Sequence, residues 1–265
     1  RVRGLRAEPG RRRGLESVGL SSPLVGRSAE LDALRQAFSV ARAGRGRLAV
    51  LIGEPGIGKS RLLSELRADI GATPEAANGS KGVPWFEGRC VSYGRTIPYH
   101  LVLELVHSLL AIPPGSAERE VRTMLHTRLV ELLRDEAADV EPYFAHLFAL
   151  SLTSAEADRV QLDPETLQGR YVAAIKRVIH ALSSDAPAVL VLEDIHWADP
   201  SSVDVALALL PLITPLPVLI VFAGRAETDA PGWRLVSQTR AVFGDAVVEL
   251  RLQPLNEDDS RALVA

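Results

Sequence analysis

Residues 53–60 read GEPGIGKS, a full match to the pattern G-x-x-x-x-G-K-[ST] that is typical of phosphate-binding loops. The glycines let the backbone curl so that its N–H groups can point at phosphate oxygens. Lys59 would reach the β- and γ-phosphates, and the Ser60 hydroxyl would be a ligand of Mg²⁺. The alternative interpretation is a glycine-rich turn with a surface lysine.

Two acids, Glu193 and Asp194, directly follow the apolar run of residues 189–192. An acid at the carboxyl end of a parallel strand lies where such sheets bind ligands. Glu193 and Asp194 are therefore candidate catalytic residues, and Ser60 with Glu193 is the candidate Mg²⁺ pair. Adjacent side chains on a strand point to opposite sides, so which acid holds the metal and which orients water stays open. An ordinary acidic turn is the alternative.

A third catalytic candidate is Arg225, which follows the apolar run of residues 218–224. A cation at this strand end could sense the γ-phosphate or stabilise charge during its transfer. The alternative is a solvated loop arginine.

Other chemistries find little support in the sequence. The six histidines show no metal-ligand spacing, the single Cys90 cannot complete a zinc site, and no G-x-S-x-G segment occurs. His196, which lies next to the acids, is interpreted as a packed or hydrogen-bonded histidine.

The candidate residues lie at the ends of strands that alternate with helices. Short apolar runs predict strands at residues 48–52, 85–89, 188–192, 218–223 and 247–252. The long, mostly helical stretch of residues 98–150 is expected to break near Pro113, Pro114 and Pro142. Strands separated by helices indicate a parallel sheet with right-handed crossovers.

Composition places the chain among globular proteins. Of its 265 residues, 47% are apolar and 24% are charged, which excludes disordered, collagen-like and disulfide-stapled chains. Six arginines fall within the first 13 residues, and the remainder has 24 basic and 32 acidic residues. That remainder is too acidic to bind a polyanion by bulk charge. The single cysteine indicates a reducing compartment, so we expect a cytoplasmic location.

We divide the chain into a linker at residues 1–22 and a core at residues 23–265. Residue 1 is Arg and the one methionine is Met124, so we expect a piece of a longer protein. The apolar run of residues 205–224 approaches the length that spans a bilayer, but Pro211, Pro215 and Pro217 interrupt it. A helix end followed by a buried strand accounts for this run, and no membrane span is expected.

Together, these motifs resemble the AAA-like ATPase modules of the STAND P-loop NTPases, the signal-transduction NTPases with numerous domains. The sequence is most similar to modules fused to bacterial class III adenylate or guanylate cyclases and to those of large LuxR-type (LAL) transcriptional regulators. The segments that carry the resemblance are PLVGR at 23–27, GEPGIGKSRLL at 53–63, GRC at 88–90, LVLEDIHWADPSS at 190–202 and LQPL at 252–255.

The resemblance implies an α/β fold: an AAA-like P-loop parallel sheet of order 5-1-4-3-2, with helices on both faces and a helical insertion between strands 2 and 3. It implies ATP and Mg²⁺ as cofactors and Arg225 as the first sensor. The helical lid and winged helix that normally follow such a core are expected to be missing. The nucleotide-binding residues that it implies are Gly53, Glu54, Pro55, Gly56, Ile57, Gly58, Lys59, Ser60 and Arg61, with Val25, Gly26 and Arg27 flanking the adenine.

The function indicated is a regulatory switch that binds ATP or ADP with Mg²⁺, hydrolyses ATP slowly and acts on neighbouring domains of a bacterial signalling protein. Those domains would be a cyclase or helix-turn-helix effector and a helical-repeat sensor; oligomerisation that depends on nucleotide is left open. One alternative is a DNA-handling AAA ATPase of the origin-recognition or loader type, although direct nucleic-acid binding by this acidic chain is not expected. Another is a nucleotide-binding module without turnover.

Overall fold

The computed structural model describes residues 24–71, 82–184 and 186–264, so the predicted linker at residues 1–22 lies outside the described residues. The strands of this part of the chain are β1 (Arg47–Ile52), β2 (Trp85–Arg89), β3 (Ala188–Glu193), β4 (Val218–Gly224) and β5 (Val247–Arg251). Its helices are α1 (Ser28–Arg42), α2 (Lys59–Gly71), α3 (His100–Leu109), α4 (Glu118–Leu133), α5 (Ala137–Leu147), α6 (Ser154–Val160), α7 (Pro164–Ser183), α8 (Pro200–Leu209), α9 (Trp233–Phe243) and α10 (Glu257–Val264).

The strands form one parallel sheet in the order β2-β3-β4-β1-β5. Read from the other edge, this is the predicted order 5-1-4-3-2, which is confirmed. Ile52 pairs with Gly224 of β4 and with Arg251 of β5, while Arg89 pairs with Glu193. The carboxyl ends of the strands therefore lie along one edge of the sheet, and the segments that carry the candidate residues follow this edge.

Helices cover both faces of the sheet, as predicted. The central strands are apolar along nearly their whole length, which is typical of strands buried on both sides. In β1, Ala49 and Leu51 pack in a core with α1 and α2. Leu48 and Val50 point the other way, into a larger core that includes residues of α3, α4, α5, α7, α8 and α9.

The helices α3 to α7 lie between β2 and β3, which confirms the predicted helical insertion. Their buried side chains, such as Leu125 of α4 and Phe144 of α5, belong to the same core as one face of the sheet. Pro113 and Pro114 separate α3 from α4, as expected.

The start of the insertion is joined to the loop after β3 through Asp199. One carboxylate oxygen, Oδ1, accepts hydrogen bonds from the backbone N–H of Ser202 at 3.0 Å and of Tyr99 at 2.9 Å. A side-chain acceptor at this position satisfies N–H groups that the first turn of a helix leaves unpaired. A single buried oxygen therefore caps the first turn of α8 and binds the residue before α3.

The predicted helix break at Pro142 is wrong. Pro142 lies inside α5, where proline removes the N–H that would bind the carbonyl of Ala138. The Arg159 side chain replaces that donor, since its Nη1 lies 2.8 Å from the Ala138 oxygen. The actual interruption is the 3₁₀ segment Arg134–Glu136, which precedes α5.

This contact gives a prediction for Arg159→Ala. The variant leaves the Ala138 carbonyl without its donor, so we expect the free energy of unfolding to fall by about 1 kcal/mol. Urea denaturation followed by circular dichroism measures the change. Arg234→Ala removes a similarly exposed arginine from α9 and serves as the control. Equal effects of the two variants would contradict the role given to Arg159.

None of the helices in the described ranges is both long and apolar enough to cross a membrane. The apolar run of residues 205–224 divides among the end of α8, the 3₁₀ segment Leu210–Ile213 and β4.

Candidate functional site

The phosphate loop, residues 53–58, connects the end of β1 to the start of α2, as predicted. Gly58 has a φ of +102°, a conformation that residues with a Cβ rarely adopt, so the loop depends on glycine at this position. The N–H of Gly53 donates to the carbonyl oxygen of Gly224 at 3.2 Å. This bond fixes the loop against the end of β4.

Lys59, the first residue of α2, holds its ammonium group over the phosphate loop. Nζ donates to the carbonyl oxygens of Gly53 at 2.7 Å and Glu54 at 2.9 Å. Burial lowers the pKa of Lys59; the negative charge of Asp194 opposes this change, and the positive charge of Arg225 adds to it.

Ser60, in the first turn of α2, contacts Glu193 at the carboxyl end of β3. The Ser60 hydroxyl donates to the Oε2 atom of Glu193 at 2.6 Å, although the two residues are far apart in sequence. Burial raises the pKa of Glu193, and the hydrogen bond from Ser60 acts in the opposite direction. The structure thus brings together the two residues that the sequence analysis selected as Mg²⁺ ligands.

The donor set suits Mg²⁺ bound together with a phosphate chain. Mg²⁺ prefers oxygen ligands and usually takes only one or two from carboxylates, with the remainder from water and substrate phosphates. A hydroxyl and one carboxylate next to a phosphate loop fit this pattern. Within the described ranges, no group of three or more His, Cys, Asp or Glu residues could hold a metal by itself.

Asp194 forms an ion pair with Arg89, the last residue of β2. Asp194 has a positive φ of 55°, and its Oδ2 atom accepts from Nε of Arg89 at 2.9 Å and from Nη2 at 2.8 Å. The two adjacent acids therefore have different partners: Glu193 is the last residue of β3, and Asp194 follows it in a left-handed conformation. Arg89 was not selected as a site residue from the sequence, although its place at the end of β2 could have indicated it.

Arg225 directly follows Gly224 of β4, whose carbonyl oxygen accepts the N–H of Gly53 in the phosphate loop. Its side chain is about one-third exposed, and its Nη1 atom is 3.8 Å from the Oε1 atom of Glu227. The predicted sensor thus directly follows the strand end that binds the phosphate loop, and it is paired with an acid from its own loop.

The segment that precedes α1 packs against the residues that follow β5. It contains Val25, Gly26 and Arg27. The Arg27 side chain is buried and donates to the carbonyl oxygens of Gln253 at 2.5 Å and Ile57 at 3.4 Å. Arg27 therefore connects the start of the described chain, the phosphate loop and the segment after β5. Gly26 is packed against α10, because a Cβ there would lie 2.5 Å from a carboxylate oxygen of that helix.

The remaining predicted residues lie in the loop or on the first turn of α2. Glu54 and Pro55 are exposed at the tip of the loop, and Ile57 packs against the core that contains α1 and α2. Arg61 forms an ion pair with Glu65 one helical turn later, at 2.9 Å.

Sequence reasoning missed Arg95, which lies in the 3₁₀ segment Ser92–Thr96 after β2. Its guanidinium lies 4.3 Å from the centre of the Trp197 ring and donates to the carbonyl oxygen of His196. His196 itself is buried, as expected, but neither ring nitrogen has a hydrogen-bond partner in the described part of the chain. Burial lowers the pKa of His196, so the neutral imidazole is favoured. No local sequence signal joins Arg95 to residues a hundred positions away.

Comparison with known proteins agrees with this geometry. A family model described as an AAA ATPase domain matches residues 23–221, more than half of the chain. The match includes the phosphate loop and the two acids at the end of β3. An uncharacterized protein of Rhizobium meliloti (strain 1021) is 29% identical over 247 residues. The aligned region is 92% of this chain and 22% of that protein, so the chain spans about a fifth of its curated relative.

Among solved structures, the ORC1 protein of Aeropyrum pernix in complex with DNA matches with a TM-score of 0.51 and 17% sequence identity. The match covers 91% of this chain and 49% of ORC1. The ORC2 protein of the same organism, in ADPNP and ADP complexes, gives a TM-score of 0.40 with 11% identity over 86% of this chain and 48% of ORC2. The ORC1 similarity concerns the fold, a parallel α/β sheet flanked by helices. By the extent of the family match, this chain belongs to the AAA ATPase domain family.

Proposed function

We propose that this AAA ATPase domain binds ATP with Mg²⁺ between the phosphate loop and the end of β3 and acts as a nucleotide-dependent switch. The observation that carries the proposal is the 2.6 Å contact between the Ser60 hydroxyl and the Glu193 carboxylate. Two motifs 133 residues apart supply hard oxygen ligands at one point, next to a lysine and a helix start. A glycine turn with a surface lysine would not require this arrangement.

Each residue has a defined role in this proposal. The loop N–H groups and Lys59 bind the β- and γ-phosphates, while Ser60 and Glu193 hold Mg²⁺. When bound, Mg²⁺ supplies positive charge that neutralises the phosphate oxygens. Asp194 orients the attacking water and accepts its proton, and Arg225 binds the γ-phosphate. Slow hydrolysis then returns the switch to its ADP state.

The wider role is a regulatory one within a longer bacterial signalling protein, either linked to a cyclase or a transcriptional regulator. The support is the resemblance of the motifs and the relative from Rhizobium meliloti, which is matched over only 22% of its length. Neighbouring domains of the same chain are the proposed partners, and the cytoplasm is the proposed location. The DNA-handling alternative rests on the same core motifs and on the arginines of residues 1–13, which lie outside the described residues.

Equilibrium binding of fluorescent ATP and GTP, with and without Mg²⁺, tests the proposal. Lys59→Ala removes the cation that binds the phosphates, so we expect at least about tenfold weaker ATP binding. Removal of Mg²⁺ with EDTA should weaken binding by the wild-type chain. Lys176→Ala removes a lysine from α7 and is the control. If Lys59→Ala bound ATP with Mg²⁺ as tightly as the wild type, the site would be placed wrongly.

A further inference from the structure

Glu227 lies between two arginines that come from different loops. Its Oε2 atom is 3.1 Å from Nη2 of Arg95, and its Oε1 atom is 3.8 Å from Nη1 of Arg225. All three side chains are a little over one-third exposed. The two oxygens of one carboxylate are thus divided between a residue after β2 and the proposed phosphate sensor after β4.

The Arg95 guanidinium is held in place by several contacts. Besides Glu227, the Arg95 guanidinium binds the carbonyl oxygen of His196 through both Nε and Nη2. It also stacks over the Trp197 ring, 4.3 Å from the ring centre, which adds cation–π attraction. Arg95 is therefore held by three groups, and it holds one oxygen of Glu227 in place.

The Arg225 guanidinium, in contrast, is held only weakly. In the portion of the chain that the structure describes, the 3.8 Å ion pair with Glu227 is the one polar contact of the Arg225 guanidinium. This distance is too long for a hydrogen bond, and an exposed pair of this kind contributes little to stability. Arg225 also lies near the phosphate loop, because it directly follows Gly224, whose carbonyl oxygen accepts the N–H of Gly53. Arg225 can therefore move toward a phosphate with little loss.

We propose that Glu227 reduces the preference for nucleoside triphosphate over diphosphate, because it competes with the γ-phosphate for Arg225. This inference rests on the nucleotide binding proposed above and assigns Glu227 a role in selecting the nucleotide. A triphosphate draws Arg225 away from Glu227. A diphosphate lacks the competing group and leaves the pair intact.

Release of Arg225 does not leave Glu227 without a partner. The carboxylate keeps its contact with Arg95, so no charge is left without compensation. The competition therefore costs the triphosphate only the weak Arg225–Glu227 pair. Because exposed ion pairs contribute little, its removal should change the affinity by a small factor that affects one nucleotide class only.

The test compares the affinities of a non-hydrolysable ATP analogue and of ADP, both with Mg²⁺, for Glu227→Gln and the wild type. We expect Glu227→Gln to bind the triphosphate about two- to fivefold more tightly, with ADP affinity unchanged within error. In an Arg225→Gln background, the added Glu227→Gln substitution should change neither affinity. Asp229→Asn removes an exposed negative charge from the same loop and controls for general electrostatics.

The outcomes separate this inference from the proposed function. Equal tightening for both nucleotides, an equal effect of Asp229→Asn, or an effect that persists with Arg225→Gln would overturn the competition. If the wild type bound neither nucleotide, or if Lys59→Ala left binding unchanged, the nucleotide site itself would be wrong. Circular dichroism of each variant establishes that it is folded before binding is measured.

Discussion

Replacement of Gly232 with alanine is expected to lower the free energy of unfolding by about 3 kcal/mol, because the new methyl group has no space. A Cβ at this position would lie 1.8 Å from the carbonyl oxygen of Ile195 and 2.7 Å from its carbonyl carbon. Both atoms belong to backbone, so no side-chain rotation can relieve the contact. The start of α9 or the loop after β3 must move.

Gly169→Ala is the matched control. Gly169 is exposed in the second turn of α7, and an added Cβ there meets no atom within 4 Å. Because alanine has the higher helix propensity, this variant should be more stable than the wild type by up to about 1 kcal/mol. Chemical denaturation followed by far-UV circular dichroism measures both. Gly232→Ala with wild-type stability would contradict the close approach of α9 to the loop after β3.

Asp194→Asn and Glu193→Gln are expected to separate turnover from metal-dependent binding. Asp194→Asn removes the group proposed to accept the proton of the attacking water, so phosphate release should fall about a hundredfold or more. Its affinity for ATP with Mg²⁺ should stay within about threefold of the wild type, since Asp194 binds Arg89 and not Ser60. Glu193→Gln should lose most of the Mg²⁺-dependent part of ATP binding, because it removes a metal ligand.

Phosphate release at saturating ATP and equilibrium binding give the two readouts. Asp204→Asn breaks an exposed ion pair with Arg234 and should change neither. Asp194→Asn with wild-type turnover would assign the water-orienting role to another residue. A wild-type chain that binds ATP but releases no phosphate would support the nucleotide-binding module without turnover.

The parts of the fold that could be predicted are those with local signals. The phosphate loop lies between a short apolar strand and the start of a helix, and the patterns that predict both elements directly flank the loop in the sequence. The runs that form β3 and β4 are continuously apolar because the sheet buries both of their faces. The strand order came from the family resemblance, since no local pattern determines which strands are neighbours.

The features that escaped prediction depend on contacts between distant residues. Pro142 predicts a helix break when only the missing N–H is considered, and the donor that compensates for it comes from Arg159 in another helix. In the sequence, Arg89 looks like an ordinary strand-end arginine and Arg95 like an ordinary loop arginine. Only the fold places Arg89 beside Asp194 and Arg95 beside Glu227. Which of the two adjacent acids contacts Ser60 likewise depends on the backbone conformation at the end of β3, where Asp194 has a positive φ.

The Asp199 oxygen that is shared by the residue before α3 and the first turn of α8 limits how the insertion could be exchanged in protein engineering. A foreign insertion that begins after Tyr99 would keep the Tyr99 N–H, which the left-handed conformation of this residue directs at the Asp199 carboxylate. A graft that begins earlier would leave the buried carboxylate with one donor fewer. A chimera that carries a foreign insertion should therefore retain residues 98–100 and 199–202 together as one joint.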